Sequence, residues 1–498
     1  MGSKVEPGPA PESAKQHGYD AITSKGRRAA PISATKAEGK QLDPYGRQKL
    51  TATTRDLVRN FSVAKWMIAR HLDYTSFFSF TPTTKDKGFN AYLSSVVADL
   101  GRAERFDAAG RHRLESFFRL CEARRIIDGD VGVLKVSSGP GNGSVMAIEA
   151  DRIRNPSDAR NFVKKPAGSG SRSSWVNGVK VNDSGRTLAY SIWNRDQGGS
   201  NWVDPRDIRG GRMWLYGFFD SSYRFDQVRG ISPLASAANQ LKDAMESSEF
   251  AILKAKSQAF FSLVLSRDAE ESAGDITGGA AADQPEDKSG IAVDFGAGPV
   301  LLDLLPGEDA KFLQSNEPSD QFKNYMNYTL EAAMKALNIS PSMYSSEKST
   351  WHGSRSDQLA YDRGCLAARE DHRNLRDKWT VWRLTLAILD GELDLPSGWT
   401  LEDVRWEWVH RGTPWWRPDQ EIKGDIDAIG AGFSNPMRVC RERGQGEFEA
   451  NIDATIRAVK YARERGLEEL GEPIRLNFEL PPEATPEATP QPDEPGEE

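Results

Sequence analysis

The chain has 498 residues, 38% of them hydrophobic, and 13 tryptophans, a composition that supports two or more packed regions and excludes a disordered protein. Its longest apolar run, residues 259–265, is far short of the ~20 residues that cross a bilayer, and the N-terminus lacks the apolar core of a secretory signal. Most of the net charge of −7 lies in the tail, because residues 481–498 hold six acids and no base. The remaining 66 acids nearly balance 65 bases, which argues against tight gripping of nucleic acid but not against DNA that slides past.

The first half of the chain alternates between helical and strand patterns. Residues 1–50 lack apolar periodicity and predict a disordered N-terminal arm. Apolar spacing predicts helices from Thr54 to Leu72 and from Asp107 to Arg125, the second with Leu114, Phe117, Phe118 and Cys121 in the core. Strands are predicted at 130–136 and 145–150, joined by a glycine-rich turn at 139–143, and then at 175–181 and 186–193. Residues 51–231 are therefore expected to be α+β.

The segment Gln227–Leu234 is expected to open a long helix that ends near Leu265. Ser232 suits the N-cap, and Pro233 suits the first helical position, where its missing N–H costs nothing. One face of the helix is apolar and largely built from small side chains, which favours close packing against neighbouring helices. Its members are Leu234, Ala238, Leu241, Met245, Ile252, Ala255 and Ala259.

The second half is expected to be mainly helical. Residues 268–290 are acidic and predict an exposed loop, and short strands are predicted at 291–295 and 299–305. A helix is predicted from Ser319 to Leu337 and a longer one from Ser354 to Asp390. The polar loop from Ser342 to Gly353 between them holds Lys348, Trp351 and His352. Three shorter helices follow in a small helical domain, and then a Pro- and acid-rich tail at 471–498.

No catalytic constellation stands out, so we expect no enzyme activity, no cofactor and no metal. The chain has no phosphate-binding loop of the GxxxxGK[ST] type, and the glycines at 139–143 favour a hairpin turn. Asp128 and Asp130 are compatible with a metal site, but the adjacent Gly129 favours an ordinary turn. His352 and His372 are interpreted as lone surface or loop histidines.

Cysteine and tryptophan usage adds two expectations. Cys121, Cys365 and Cys440 lie far apart, which suggests neither a disulfide framework nor a zinc site and fits assembly in a reducing cytoplasm. The tryptophans at 406, 408, 415 and 416 favour core or interface positions over ligand platforms.

Seven short motifs, in this order, resemble the lambda-like family of phage portal proteins. They are RDLVRN at 55–60, EADRI at 149–153, GRTLAY at 185–190, the join at 228–234, LLPGE at 304–308, SRSD at 354–357, and WRPD at 416–419 followed by Asp425 and Ile426. The resemblance spans about residues 51–470, nearly all of the chain that is expected to fold.

That resemblance implies an α+β portal-type subunit with a wing, long stem helices, a small clip and a C-terminal helical crown. The implied plan is a wing at 51–231, stem helices at 232–265 and 319–337, a clip at 266–318, a channel-facing tunnel loop at 338–353, a long helix at 354–394 and a crown at 395–470. It implies that Lys348, Trp351, His352 and Arg355 are the residues nearest to passing DNA. An open alternative is that the loop is a connector packed between subunits, with Trp351 buried.

The implied protein is a homo-oligomeric ring, typically of twelve subunits, at one capsid vertex of the virion. Its implied partners are the terminase large subunit, a capsid or scaffold protein, head-completion or tail adaptor proteins, and the double-stranded DNA that passes through the channel; no membrane is implied. Two alternatives stay open: a virion-maturation protease or nuclease of the same assembly pathway, and a plain shell protein. The missing nucleophile and metal set disfavours the first, and the long helices disfavour the second.

Overall fold

The computed structural model describes residues 42–137, 142–156, 173–193, 200–203, 212–219, 224–260, 263–267, 308–312, 320–345, 347, 349–415 and 417–465. It divides the chain into two compact units, Met1–His410 and Arg411–Glu498. In the described part of the chain, no helix is both long and apolar enough to cross a membrane.

The first unit combines helices with short antiparallel strands. Its helices are α1 Pro44–Asn60, α2 Ser62–Thr75, α3 Lys87–Leu100, α4 Ala103–Phe106, α5 Leu114–Asp128, α6 Ala238–Phe260, α7 Asp320–Met334, α8 Trp351–Gly364 and α9 Leu366–Leu389. Its strands are β1 Phe78–Pro82, β2 Asp130–Lys135, β3 Val145–Glu149, β4 Ser173–Val176, β5 Val179–Asn182, β6 Thr187–Trp193, β7 Ser200–Val203, β8 Met213–Gly217, β9 Leu263–Arg267, β10 Glu308–Phe312 and β11 Trp406–His410.

The sequence predicted one helix from Thr54 to Leu72, but the structure has two helices, α1 and α2, over this range. The prediction of a continuous helix was therefore wrong. Phe61 has an extended backbone, with φ −118° and ψ 111°, and separates α1 from α2. Its N–H still closes α1 by donating to the carbonyl oxygen of Leu57, and its ring packs against the core. The apolar spacing therefore continues through Phe61, although the helix does not.

The predicted hairpin across residues 139–143 is confirmed by the pairing of its two strands. β2 pairs antiparallel with β3 on one side and with β8 on the other. A second sheet has the strand order β4-β5-β6-β7, with every pair antiparallel. The strand predicted at 175–181 is in fact two strands, because Asn177 and Gly178 both have positive φ and turn the chain between them.

A strand pair joins the beginning and the end of the first unit. β1 pairs antiparallel with β11, and Phe80 lies opposite Trp408. Residues 395–410 were expected to belong to a helical crown, but residues 406–410 form a strand of the first unit, and the second unit begins at Arg411. The indole of Trp408 is buried in the core, as predicted for that residue.

Helix α5 lies between two hydrophobic cores. Leu114, Phe117, Phe118 and Cys121 lie in one core together with α3, α9 and β11, which confirms their predicted burial. Ala123, Ile126 and Ile127 lie in a second core with residues of α1, α2, α6 and α7. The α+β part and the long helices are thus packed through one shared helix.

The helix predicted from Ser232 to Leu265 is shorter at both ends. A 3-10 turn at Pro233–Ala235 precedes α6, and residues 263–265 belong to β9, which pairs antiparallel with β10. Leu234, Ala238 and Leu241 of the predicted stripe are buried, whereas Ile252 is exposed. The strands predicted at 291–295 and 299–305, and the acidic loop at 268–290, lie outside the described residues.

The second long helix predicted from Ser354 to Asp390 begins earlier and is divided. Thr350 caps α8 by accepting a hydrogen bond from the Gly353 N–H, so the helix begins at Trp351. Cys365 stands between α8 and α9 with near-helical dihedral angles. The helix predicted at 319–337 corresponds to α7 continued by a 3-10 turn at Lys335–Leu337.

The second unit contains three helices over its described residues. They are α10 Pro418–Gly430, α11 Pro436–Glu442 and α12 Phe448–Glu464. These match the three short helices that the sequence predicted before Gly466.

Candidate functional site

Arg229 lies in the join at residues 228–234, which precedes α6. Only 3% of this residue is exposed. Its Nε donates to Asp130 Oδ2 at 2.6 Å and its Nη2 to Asp130 Oδ1 at 2.7 Å. The same guanidinium donates to the carbonyl oxygens of Ala150, Ile153 and Asn177. One side chain therefore binds β2, the turn after β3 and the turn between β4 and β5.

Arg47 of α1 completes this buried cluster. Its Nη1 donates to the Gly230 carbonyl oxygen at 2.8 Å, and its Nη2 lies 3.0 Å from Asp130 Oδ2. Burial raises the pKa of Asp130, but the facing Arg229 and Arg47 outweigh it, so the pKa lies below its usual value. Burial and the like charge of Arg229 lower the pKa of Arg47 to about 10. The carboxylate is thus held ionised between two guanidinium groups.

Two glycines allow the backbone segments of the join to touch. A Cβ on Gly230 would overlap the carbonyl oxygen of Gly129, and Gly129 itself has φ +92°. Ser232 Oγ then donates to the Ile126 carbonyl oxygen at 2.7 Å and accepts from the Leu234 N–H. The sequence correctly predicted Ser232 as a cap, and its hydroxyl also fixes the start of the helical segment to the end of α5.

A second ion-pair group lies beside the first. Arg55 donates to both carboxylate oxygens of Asp128, at 2.8 and 2.6 Å, and to Asp151 Oδ1 at 3.0 Å. Asp128 and Asp130, for which the sequence favoured an ordinary turn over a metal site, flank the turn at Gly129, and arginine side chains bind both carboxylates. In the described part of the chain, no three His, Cys, Asp or Glu residues are placed to hold a metal ion.

His372 is buried, which corrects the prediction for this residue. This histidine is fully buried and not a surface or loop residue. Its Nδ1 lies 3.2 Å from the Thr75 carbonyl oxygen. Burial, with Arg376 nearby, lowers the pKa of His372 to about 3. The ring is therefore a neutral member of the core, and its position in the middle of α9 was the available sign of burial.

Glu122 and Arg125 form an ion pair at the core of the first unit. Arg125 donates from Nε and Nη2 to the two carboxylate oxygens of Glu122, each at 2.9 Å, and from Nη1 to Asp371 at 3.0 Å. The Tyr216 hydroxyl donates to Glu122 at 2.5 Å. Burial raises the pKa of Glu122, but Arg125 outweighs it and holds that pKa far below its usual range. α5, β8 and α9 are thereby linked through one carboxylate and its arginine.

Three of the four predicted channel residues lie together at the start of α8. The indole of Trp351, with 39% of the residue exposed, contacts the ring of His352 edge-on, at 4.8 Å between centroids. Arg355, one turn further along, is half-buried, and its Nη1 donates to Gln358 Oε1 at 3.1 Å. Lys348, the fourth, lies outside the described residues.

Hydrogen bonds hold the approach to α8 in place. Ser342 Oγ donates to Asp357 Oδ2 at 2.5 Å, and the hydroxyls of Ser349 and Ser354 lie 2.7 Å apart. Gln358 donates to the Tyr74 hydroxyl at 3.0 Å, which connects α8 to α2. The segment before α8 is therefore an anchored connector, and the first turn of α8 presents an indole and an imidazole outward.

Helices α6 and α7 pack against each other and leave large apolar side chains exposed. Leu241 and Ala244 of α6, with Leu330 and Ala333 of α7, lie in their shared core. Exposed large side chains on these helices are Phe250, Ile252, Leu253, Tyr325 and Tyr328. Exposed apolar side chains grouped along neighbouring helices mark an interaction surface.

Sequence reasoning did not find the polar residues of the join. Arg47, Arg55 and Arg229 looked like ordinary charged residues, and their partners lie up to 183 residues away, as in the bond from Arg47 to Gly230. A signal was available, because RDLVRN, EADRI and the join at 228–234 each contribute a residue to these ion pairs. Three of the seven motifs that carry the resemblance therefore contribute to the join and the ion pairs beside it.

Comparisons with known proteins identify the family of this chain. The family model described as phage portal protein, lambda family, matches residues 25–369. The chain therefore belongs to the lambda family of phage portal proteins. It is 24% identical to portal protein B of Escherichia phage lambda over 341 residues, which are 61% of this chain and 62% of that protein. It is also 24% identical to the portal protein of Escherichia phage N15 over 483 residues, 86% of this chain and 87% of that protein.

The matched segment spans somewhat less than two thirds of the lambda protein and most of the N15 protein. Solved structures of gene transfer agent particles are also similar. The neck of an empty particle, computed with C6 symmetry, has a TM-score of 0.45 and 15% identity and covers 78% of this chain and 92% of that chain. The neck of a native particle, computed with C12 symmetry, has a TM-score of 0.44 and 15% identity and covers 80% and 98%.

Proposed function

We propose that this chain is one subunit of a closed homo-oligomeric ring at one capsid vertex of a phage virion. Membership of the portal family supports the proposal. The observation that carries it is the α6–α7 pair, which packs into the core at one end of each helix and leaves large apolar side chains exposed further along both helices. A ring needs side-to-side contacts between unlike surfaces of neighbouring copies, and exposed apolar helix faces supply such contacts.

In this proposal, the parts of the chain keep the plan that the resemblance implies, with one change of boundary. The wing, stem and clip lie at 51–231, at 232–265 with 319–337, and at 266–318. The pairing of β9 with β10 supports a clip, because it brings the two ends of that segment together between the stem helices. The crown is limited to the second unit, from Arg411 onward.

The ring provides the passage through which DNA enters and leaves the capsid. The segment before α8 lines the channel, where Lys348, Trp351, His352 and Arg355 contact DNA transiently. The exposed Trp351 and its ring contact with His352 at the start of α8 support this assignment. The chain without its acidic tail is near neutral, which also suits a channel, because few fixed phosphate contacts hold the duplex in place.

The proposed partners follow from the same role. The terminase large subunit docks at the clip, a capsid or scaffold protein binds during assembly in the host cytoplasm, and head-completion or tail adaptor proteins bind later. The chain itself has no catalytic role, and ATP hydrolysis belongs to the motor. The acidic segment at 268–290 belongs to the motor-docking end.

A reconstituted packaging reaction tests this role. Purified rings, empty capsids, terminase and ATP are combined, and protected DNA is measured. Omission of the chain should abolish packaging, rings alone should hydrolyse no ATP, and rings shortened within 268–290 should stay intact while packaging falls. Packaging without the chain, or ATP turnover that co-elutes with the ring, would contradict the proposal.

A further inference from the structure

The second unit has helices but no buried core over its described residues. Between residues 411 and 465, no described residue is buried. Large apolar side chains on its three helices and their connections are instead exposed: Ile422, Ile426, Phe433, Met437, Ile456, Val459 and Tyr461. A helical unit of this size is stable only if it buries an apolar face, so these side chains need a cover.

The charges on α10 and α12 indicate what covers these apolar side chains. α10 carries four acids and one base. Residues 456–464 of α12 carry Arg457, Lys460 and Arg463 against one acid. Each of these two charged helices also carries exposed apolar residues, Ile422 and Ile426 on α10 and Ile456 and Val459 on α12. One unit thus presents an acidic apolar face and a basic apolar face.

Contacts within the unit leave these two faces available. Arg443 bonds to Glu421 and Asp425 and so satisfies the acids of α10 that lie toward α11. Asp419 accepts from Arg417 at 3.2 Å at the surface. Asp419 and Asp427 of α10, and Arg457 and Lys460 of α12, are all exposed. Opposite charges across a protein interface steer association and fix register, whereas like charges oppose it.

We propose that the second unit is completed by a second copy of this chain, with α10 of one subunit packed against α12 of the next in a head-to-tail interface. The helices of residues 411–465 then gain a stable core only through assembly. This inference rests on the proposed ring and adds the identity of one interface in it. The unlike charges of the two faces fit a head-to-tail contact between neighbours, which can continue around a closed ring.

Two charge-reversed full-length variants test this arrangement. The variant D419K/D427K makes α10 basic, and the variant R457E/K460E makes the end of α12 acidic. Each variant alone sets like charges against each other at every head-to-tail contact. Mixed in equal amounts, they can alternate around a ring so that every contact again joins opposite charges.

Hydrogen exchange by mass spectrometry is measured for residues 411–465 in wild-type rings, wild-type monomers, each variant and the mixture. We expect amides of this segment to exchange at least about tenfold more slowly in wild-type rings than in monomers. Each variant alone should lose that protection, and the equimolar mixture should regain it. Electron microscopy of the same samples shows whether rings are present.

Three results would overturn the inference while leaving the ring itself intact. They are equal protection in monomers, which would mean that the chain covers its own faces; no protection in wild-type rings, which would point to a scaffold or capsid protein; and unchanged protection in both variants. Absence of rings in the wild-type sample would instead overturn the proposed function, and this inference with it.

Discussion

Arg229 and Asp130 form a two-bond ion pair from which solvent is excluded, with Nε–Oδ2 and Nη2–Oδ1 distances of 2.6 and 2.7 Å. Arg47 approaches the same carboxylate from α1. The pair fixes the entry to α6 against β2 at the point where the α+β part meets the long helices. It is therefore the contact whose loss should disturb the relative placement of those elements most.

Replacing Arg229 by Met should destabilise the protein strongly. The change leaves Asp130 buried with Arg47 as its one remaining cationic partner beside the Gly230 N–H, and removal of one member of a buried ion pair costs about 3–5 kcal/mol. Chemical denaturation of purified protein measures the free energy of unfolding. The control is Arg102→Met, at a surface ion pair with Asp99, where little change is expected. Equal effects of the two substitutions would contradict a special role for the join.

Adding one methyl group at Gly230 should also disrupt the join. A Cβ there would overlap the backbone of Gly129, so Gly230→Ala forces the two segments apart. The matched control is Gly364→Ala at the end of α8, where a Cβ meets nothing within 4 Å. Alanine is favoured over glycine in helices by about 1 kcal/mol, so the control should be neutral or stabilising. Thermal unfolding of both variants distinguishes the outcomes, and a neutral Gly230→Ala would refute the close approach.

Stability should fall as pH is lowered from about 6.5 toward 4. The pKa of His372 is lowered to about 3 in the fold, against 6.5 for the free side chain. Between these values the unfolded chain binds a proton that the folded chain does not, so stability increases with pH in this window. His372 alone should account for a loss of about 2 kcal/mol between pH 6.5 and 5. Burial lowers the pKa of His410 to about 4, which adds to the loss in the same direction.

Denaturation midpoints at a series of pH values measure this dependence. The substitution His372→Gln should flatten the slope between pH 5 and 6.5, whatever its effect on absolute stability. A slope that stays the same in the variant would show that this histidine is not the group responsible.

The double substitution of Lys348 and Arg355 by Ala should change DNA packaging or retention without preventing ring assembly. A few weak phosphate contacts act on the passing duplex and contribute little to contacts between subunits. The control replaces two exposed arginines of the first unit, Arg102 and Arg186, by Ala. Normal packaging and retention by the channel variant would favour a plain connector between helices.

Local patterns predicted much of the fold. The hairpin of β2 and β3, the core side of α5 and the three helices of the second unit all follow from apolar spacing and turn residues. The pairing of β1 with β11 does not, because Phe80 and Trp408 are brought together only by the packing of everything between them. The apolar spacing continues through Phe61 and therefore did not indicate that the helix breaks there. The phenyl ring packs against the core whether or not the backbone of Phe61 is helical.

The candidate sites differ in how many of their residues could be predicted from the sequence. Trp351 and His352 were selected from their position between long helices, and their contact with DNA stays a prediction. The buried ion pairs were not predicted, because a charged residue in a sequence looks the same whether it faces water or a distant partner. His372 was misplaced for the same reason, since its burial depends on α9 packing against α2 and α5.

Negative-stain electron microscopy of the purified full-length protein is the decisive test of the proposed ring. We expect closed rings with a central hole, seen end-on and side-on, formed by the chain itself or upon addition of its scaffold or capsid partner. Monodisperse particles without a hole under both conditions would contradict it.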